Sequence, residues 1–131
     1  MITVETYTYN DDLSRFYSLM GRFFAEQKYK KELPYLSNNE KKLWKLYFID
    51  NELAGFYSLQ NTKSNTLLSD IYVIEKFKNT ELLDDMLLEI ISENNSIKTI
   101  TNSETFIKKL LSLKFVKVGN KGSYGIYELK E

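Results

Sequence analysis

The chain has 131 residues, a single-domain length that can bury one sizeable core, and its 43% hydrophobic and 15% aromatic content supplies the material. Eighteen basic and eighteen acidic side chains leave no net charge, which excludes charge-driven disorder and a bulk attraction to nucleic acid or anionic membrane. There is no cysteine and no histidine, so disulfides, Cys/His zinc sites, iron–sulfur clusters, thiolate nucleophiles and imidazole bases are excluded as well. Among the basic residues only Arg15 and Arg22 are arginines, a poor composition for bidentate reading of bases or phosphates.

In chain order, Ile2, Val4 and Thr6 alternate with Thr3, Glu5 and Tyr7, the pattern of a strand. That alternation is not the basic-then-apolar pattern of a secretion signal, and no stretch approaches the ~20 apolar residues of a membrane span. The expected location is therefore the cytoplasm, with no membrane partner. Asn10, Asp11 and Asp12 then offer an N-cap and negative charge for a helix in which Leu13, Phe16, Tyr17, Met20, Phe23 and Phe24 recur at helical spacing as far as Ala25. Pro34 breaks the lysine-rich segment after that helix, and a short second helix is expected over Tyr35 to Lys42. Leu43 to Ile49 and Leu53 to Gln60 read as a hairpin around Asp50-Asn51-Glu52, and Leu67 to Ile74 as the next strand. Leu82, Leu83, Met86, Leu87, Ile90 and Ile91 mark a third helix, from Thr80 to Glu93. Ile97 to Thr101 is a short strand. Ser103 to Leu113 is a helix with Phe106, Ile107, Leu110 and Leu111 inward. Phe115 to Val118 and Tyr124 to Leu129 close the chain as strands around Gly119-Asn120-Lys121-Gly122. The expected fold is one α/β (α+β) domain over residues 1–131, with a mixed central sheet, helices on both faces and the order βααβββαβαββ. A strand–helix–strand unit at its centre implies a parallel, right-handed crossover that splays from the strand ending at Ile74.

Three segments carry a family likeness. Leu53 to Leu59 (LAGFYSL) has a small-then-apolar pattern around Gly55, Ser69 to Lys78 (SDIYVIEKFK) contains a "YV" strand end, and Phe106 to Phe115 (FIKKLLSLKF) ends in a "LKF" turn. With the element order, these make the whole chain resemble the GNAT superfamily of acyl-CoA-dependent N-acyltransferases. The segment from Gly21 to Leu36 is similar to small phage-borne GNAT-like proteins, some of which, the Mom group, modify nucleic-acid bases. The resemblance implies acetyl-CoA or another acyl-CoA as cofactor, held by Tyr72, Val73, Lys78, Asn79 and Thr80, and an amine acceptor, small or macromolecular. It implies Asp70 as the base for the amine and Tyr124 as the acid for the departing thiolate, because Leu110 stands where many relatives carry that tyrosine. No metal is implied; Asp11-Asp12 and Asp84-Asp85 lack the spacing of a calcium loop and stand where helices begin.

The family's phosphate loop uses glycines so that bare N–H groups at a helix start can approach the pyrophosphate. Here Glu81 and Leu83 stand at the glycine positions and Asn79 replaces the further glycine often found in that loop. Separately, at the end of the last helix, Lys114 replaces the glycine before Phe115. A carboxylate ~5 Å from a phosphate charge opposes binding by roughly 3 kcal/mol at an effective dielectric of ~20. That loop supports a second reading, a catalytically inactive protein of this fold that binds a protein partner. A third is a Mom-like base modifier, supported by Lys108, Lys109, Lys114, Lys117 and Lys121, which occupy Thr105 to Tyr127 without one acid. Any activity should survive both a chelator of soft metals, such as 1,10-phenanthroline, and a thiol-alkylating reagent. Inhibition by either in a rate assay would mean that a partner supplies the missing ligand or nucleophile.

Overall fold

The chain runs β1 (Ile2–Thr8), α1 (Ser14–Ala25), α2 (Gln27–Glu32), β2 (Lys42–Ile49), β3 (Glu52–Asn61), β4 (Thr66–Val73), α3 (Leu82–Glu93), β5 (Ser96–Thr101), α4 (Glu104–Ser112), β6 (Val116–Lys121) and β7 (Tyr124–Lys130). These elements come from a computed structural model that describes residues 2–33 and 35–130, without the side chain of Glu32. The strands form one sheet in the order β1-β2-β3-β4-β5-β7-β6, all neighbours antiparallel except β4 and β5. The expected α/β class and element order are the observed ones.

Period-two alternation decides which helices cover which face. From β2, Trp44, Leu46 and Phe48 pack with Phe56 against Phe16, Met20, Phe23 and Tyr29 of α1 and α2. Tyr47 points to the other face, where Tyr57, Leu68, Val73, Ile97 and Tyr127 meet Leu82, Met86, Leu87 and Ile90 of α3 and Leu110 of α4. Gly55 sets how closely α3 approaches. A Cβ there would lie 2.8 Å from the Tyr72 carbonyl oxygen and 3.1 Å from Leu82 Cδ2, so a side chain would push the start of α3 off the sheet. The β2–β3 turn is the expected one, with Asp50 and Asn51 both at positive φ (49° and 69°), as a type I′ turn demands.

Four local readings need correction. The second helix does not lie at Tyr35 to Lys42; it is α2, and residues 35–41 are irregular. Asparagine side chains there take over the bonds a helix would use. Asn38 Oδ1 accepts from the Asn39 N–H at 2.9 Å, Asn39 Oδ1 accepts from the Lys41 N–H at 2.8 Å, and the Ser37 carbonyl accepts from Lys42 Nζ at 2.6 Å. Pro34 lies outside the described residues. At α1 the N-cap position is Leu13, with no side-chain cap bond; Asp12 instead accepts from the Ser14 N–H at 3.0 Å, and Asp11 closes the turn back to the Thr8 N–H at 2.6 Å. β6 runs on to Lys121, so the last turn is Gly122-Ser123 with Gly122 at φ 61°. Leu111 faces outward at 51% exposure, because the nine-residue α4 buries only a narrow stripe centred on Leu110. No helix among the described residues is long and apolar enough to cross a membrane.

Both ends of α4 are closed. Ser103 Oγ accepts from the Phe106 N–H at 3.3 Å. At the other end the Phe115 N–H reaches the Leu110 carbonyl at 3.0 Å and the Lys114 N–H reaches Leu111 at 3.1 Å, the paired bonds of a Schellman motif. The motif puts Lys114 at φ 74°, a region costly for a residue with a Cβ. Lys114→Gly is accordingly expected to stabilise the protein by about 1 kcal/mol in chemical denaturation. An unchanged or lowered midpoint would show that the lysine side chain contributes more than its strain costs.

Candidate functional site

β4 is paired with β3 along its length but with β5 only through Thr66, Leu67 and Leu68, opposite Ile97, Lys98 and Thr99. Past that point the two strands part. The Thr99 hydroxyl closes the fork by donating to the Leu68 carbonyl at 3.1 Å. The register with β3 jumps from Asp70 opposite Ser58 to Leu68 opposite Leu59, which leaves Ser69 as the extra residue of a β-bulge. The bulge turns β4 away from β5 and leaves the β5-facing edge of residues 69–73 without a strand partner.

The gap is a cleft of about 660 Å³. It has two compartments, because α1 and α2 cover one face of the sheet and α3 and α4 the other. On the α3/α4 side lie Val73, Thr80, Leu83, Phe106 and Lys109; on the α1/α2 side lie Lys31, Tyr35, Leu36, Asp70, Tyr72 and Tyr124. Lys78 lines the cleft with its ammonium over the Tyr72 ring.

Asp70 sits at the fork, 9% exposed. Its Oδ2 accepts from Lys42 Nζ at 2.9 Å and from the Ser58 hydroxyl, and Lys42 is itself only 6% exposed. Lys42 also lies 5.4 Å from the centre of the Trp44 ring. This cluster ties β2, β3, β4 and the Ser37 loop together across the sheet. Two charges have been taken out of water, a state that holds only while both are present. Asp70 is the one carboxylate in the described lining of the cleft.

The turn between β4 and α3 contains a 3-10 turn, Glu75–Phe77. Thr80 organises the entry to α3: its hydroxyl donates to the Phe77 carbonyl at 2.6 Å and accepts from the Leu82 N–H at 3.3 Å. Lys78 pairs with Glu75 at 2.9 Å and lies 5.6 Å from the centre of the Tyr72 ring. Glu81 takes the N-cap position without a side-chain cap bond and is exposed, while Leu83 points into the cleft, half-buried against the α3/α4-side core. Asp84 is engaged by Lys109 at 2.7 Å. That bond joins the acidic helix to the lysine-rich C-terminal third; the other lysines of that third are exposed.

The sequence-derived candidates therefore converge, with one exception. Asp70, Tyr72, Val73, Lys78, Thr80 and Tyr124 all line the cleft; Asn79 does not. Tyr124 opens β7 half-buried, its ring 5.8 Å from that of the exposed Tyr35 in an edge-on contact. Lys42, Ser58, Ser69 and Thr99 were not legible as site residues, since their roles depend on strand register. A "Ser-Asp" pair at the point where a strand stops pairing was the available signal for Ser69.

No protein-family model and no curated protein matches the amino-acid sequence. Solved structures do match in shape. Escherichia coli ElaA superposes with a TM-score of 0.76 over 100% of both chains at 12% identity. A GNAT family acetyltransferase from Elizabethkingia anophelis with acetyl-CoA bound gives 0.67 over 99% of this chain and 98% of that one at 18% identity. Campylobacter jejuni N-acetyltransferase PseH, in complex with acetyl coenzyme A, gives 0.67 over 100% and 99% at 15% identity. At such identities the likeness is one of fold, and it extends from end to end: this chain has the fold of the GNAT acetyltransferases.

Proposed function

We propose that the protein is an acyl-CoA-dependent N-acyltransferase that binds its thioester in the cleft between β4 and β5. The observation that carries this reading is the open edge of β4 from Ser69 to Val73. An extended, amide-bearing arm fits there as an added strand, exchanging hydrogen bonds with backbone groups that would otherwise face solvent. At the α3 end, Lys78, Thr80 and Lys109 line the cleft near a helix start whose first N–H groups lack intrahelical acceptors, a setting for phosphates. When bound, the acyl-CoA supplies an activated acyl group.

The chain's own residues then divide the work by compartment. On the α1/α2 side an amine acceptor packs among Tyr35, Leu36, Tyr72 and Tyr124. Asp70 takes the proton that the amine nitrogen loses, through the carboxylate oxygen that Lys42 and Ser58 leave open. The Tyr124 hydroxyl serves the leaving thiolate. Nothing beyond the surface lysines favours a nucleic-acid acceptor. The acidic start of α3 favours a second reading, a protein of this fold that binds a partner without catalysis, and the two readings part on acyl-CoA binding.

Two experiments decide. In the first, Glu81→Gly with Leu83→Gly removes the opposing carboxylate and opens the backbone at α3. Acetyl-CoA affinity by calorimetry is expected to rise at least tenfold from a weak starting value, while stability falls by about 2 kcal/mol from helix propensity and lost packing. Absence of binding by both proteins would overturn the proposal in favour of the non-catalytic reading. In the second, Asp70→Asn strands the buried Lys42 ammonium and should cost about 3 kcal/mol or more. The pair Lys42→Met with Asp70→Asn should recover most of that stability yet release no CoA thiol with a panel of primary amines. Thiol release by the stable pair at the parent rate would reduce Asp70 to an anchor.

A further inference from the structure

Among the described residues, three buried side-chain oxygens meet no hydrogen-bond partner: the hydroxyls of Tyr47, Tyr57 and Ser69. The two tyrosines stack near each other, ring centres 5.9 Å apart, inside the core beneath α3. Ser69 differs from both because it lines the cleft. A buried hydroxyl without a partner is disfavoured, since it has given up water and received nothing in return. Its neighbours in the fork are bonded to other groups and not to it. The Leu68 carbonyl accepts from Thr99, and Asp70 accepts from Lys42 and Ser58.

Position narrows the groups that could satisfy it. Ser69 is the bulge residue, at the apex where β4 leaves β5. From Val73 back to Ser69 the open edge measures about 13 Å at the usual rise of a strand. A ligand laid along that edge with its phosphates near Lys78 and Thr80 brings its opposite end to Ser69. For an acyl-CoA that end is the thioester. A hydroxyl can donate one hydrogen bond, and a thioester carbonyl oxygen accepts one.

We propose that the Ser69 hydroxyl donates a hydrogen bond to the acyl carbonyl oxygen of the bound thioester, fixing the carbonyl and stabilising the charge that develops on it. The inference rests on the acyl-CoA reading of the cleft. As the amine nitrogen bonds to the carbonyl carbon, the carbonyl π electrons move onto oxygen and the Ser69 bond strengthens. When they return, the carbon–sulfur bond breaks, sulfur leaves with its electron pair and takes a proton, and the proton lost by nitrogen has passed to the base. The hydroxyl itself is unchanged at the end.

The test is Ser69→Ala, titrated calorimetrically beside the parent protein with acetyl-CoA and with CoA, which has the same arm but no carbonyl at its end. Acetyl-CoA binding is expected to weaken about fivefold. CoA binding should stay unchanged, and the thermal midpoint should stay level or rise, since the hydroxyl removed has no protein partner. Equal weakening of both ligands, no weakening of either, or a clearly lowered midpoint would overturn the inference while leaving the acyl-CoA reading in place. A parent protein that binds neither ligand would overturn the reading and the inference with it.

Discussion

β4 is held on one side along its length and on the other for three residues, and the cleft depends on that imbalance. A parallel pair that continued past Leu68 would leave no edge to bind a ligand and no gap between the two halves of the sheet. Two features keep it from continuing. The bulge at Ser69 rotates the strand, and the Thr99 hydroxyl takes the Leu68 carbonyl at the fork. Below the fork Asp70, Lys42 and Ser58 clamp β4 to β3 and β2, so the strand diverges from β5 without losing its place in the other half. The buried pair makes sense as registry more than as stability: apolar residues of equal volume would stabilise as well, but they would not require Asp70 to face Ser58.

Gly55 extends the same constraint to the helix. With Tyr72 O and Leu82 Cδ2 both inside contact range of a Cβ at that position, the close seating of α3 on β3 places Thr80 and Leu83 at the cleft's edge. Local choices in β3, β4 and α3 thus agree with one another although they are separated in sequence, the kind of consistency that narrows a fold to one arrangement.

Element order was legible because it rests on periodicity, and the apolar stripes of α1 and α3 and the alternation of β2 are strong. The helix misplaced at Tyr35 to Lys42 failed for a physical reason: Asn38 and Asn39 satisfy the backbone locally, and α2 forms just before them from Gln27, Lys28 and the residues to Glu32. The site was half legible. Residues beside the "YV" strand end fall in the cleft, whereas Lys42 and Ser58 do not announce themselves, since nothing in a linear reading says that residues 28 and 12 positions before Asp70 reach its carboxylate. Pairing across a sheet is set by register, and register is shifted by bulges that carry no fixed sequence mark.

The start of α3 also looks different in three dimensions. Glu81 is exposed to solvent, so its repulsion of a phosphate at ~5 Å is nearer about 1 kcal/mol, the value for water, than the roughly 3 kcal/mol of a partly buried charge. Asp84 is paired with Lys109, which removes much of its field. The acidic residues of the first turn chiefly stabilise the helix dipole. Leu83 is then the larger obstacle, because it occupies cleft volume directly and its half-burial against Leu82, Leu87 and the rest of the core resists movement. On the proposed reading, a phosphate at this helix start therefore meets packing first and charge second: the side chain it would have to displace is one that helps hold α3 on the sheet.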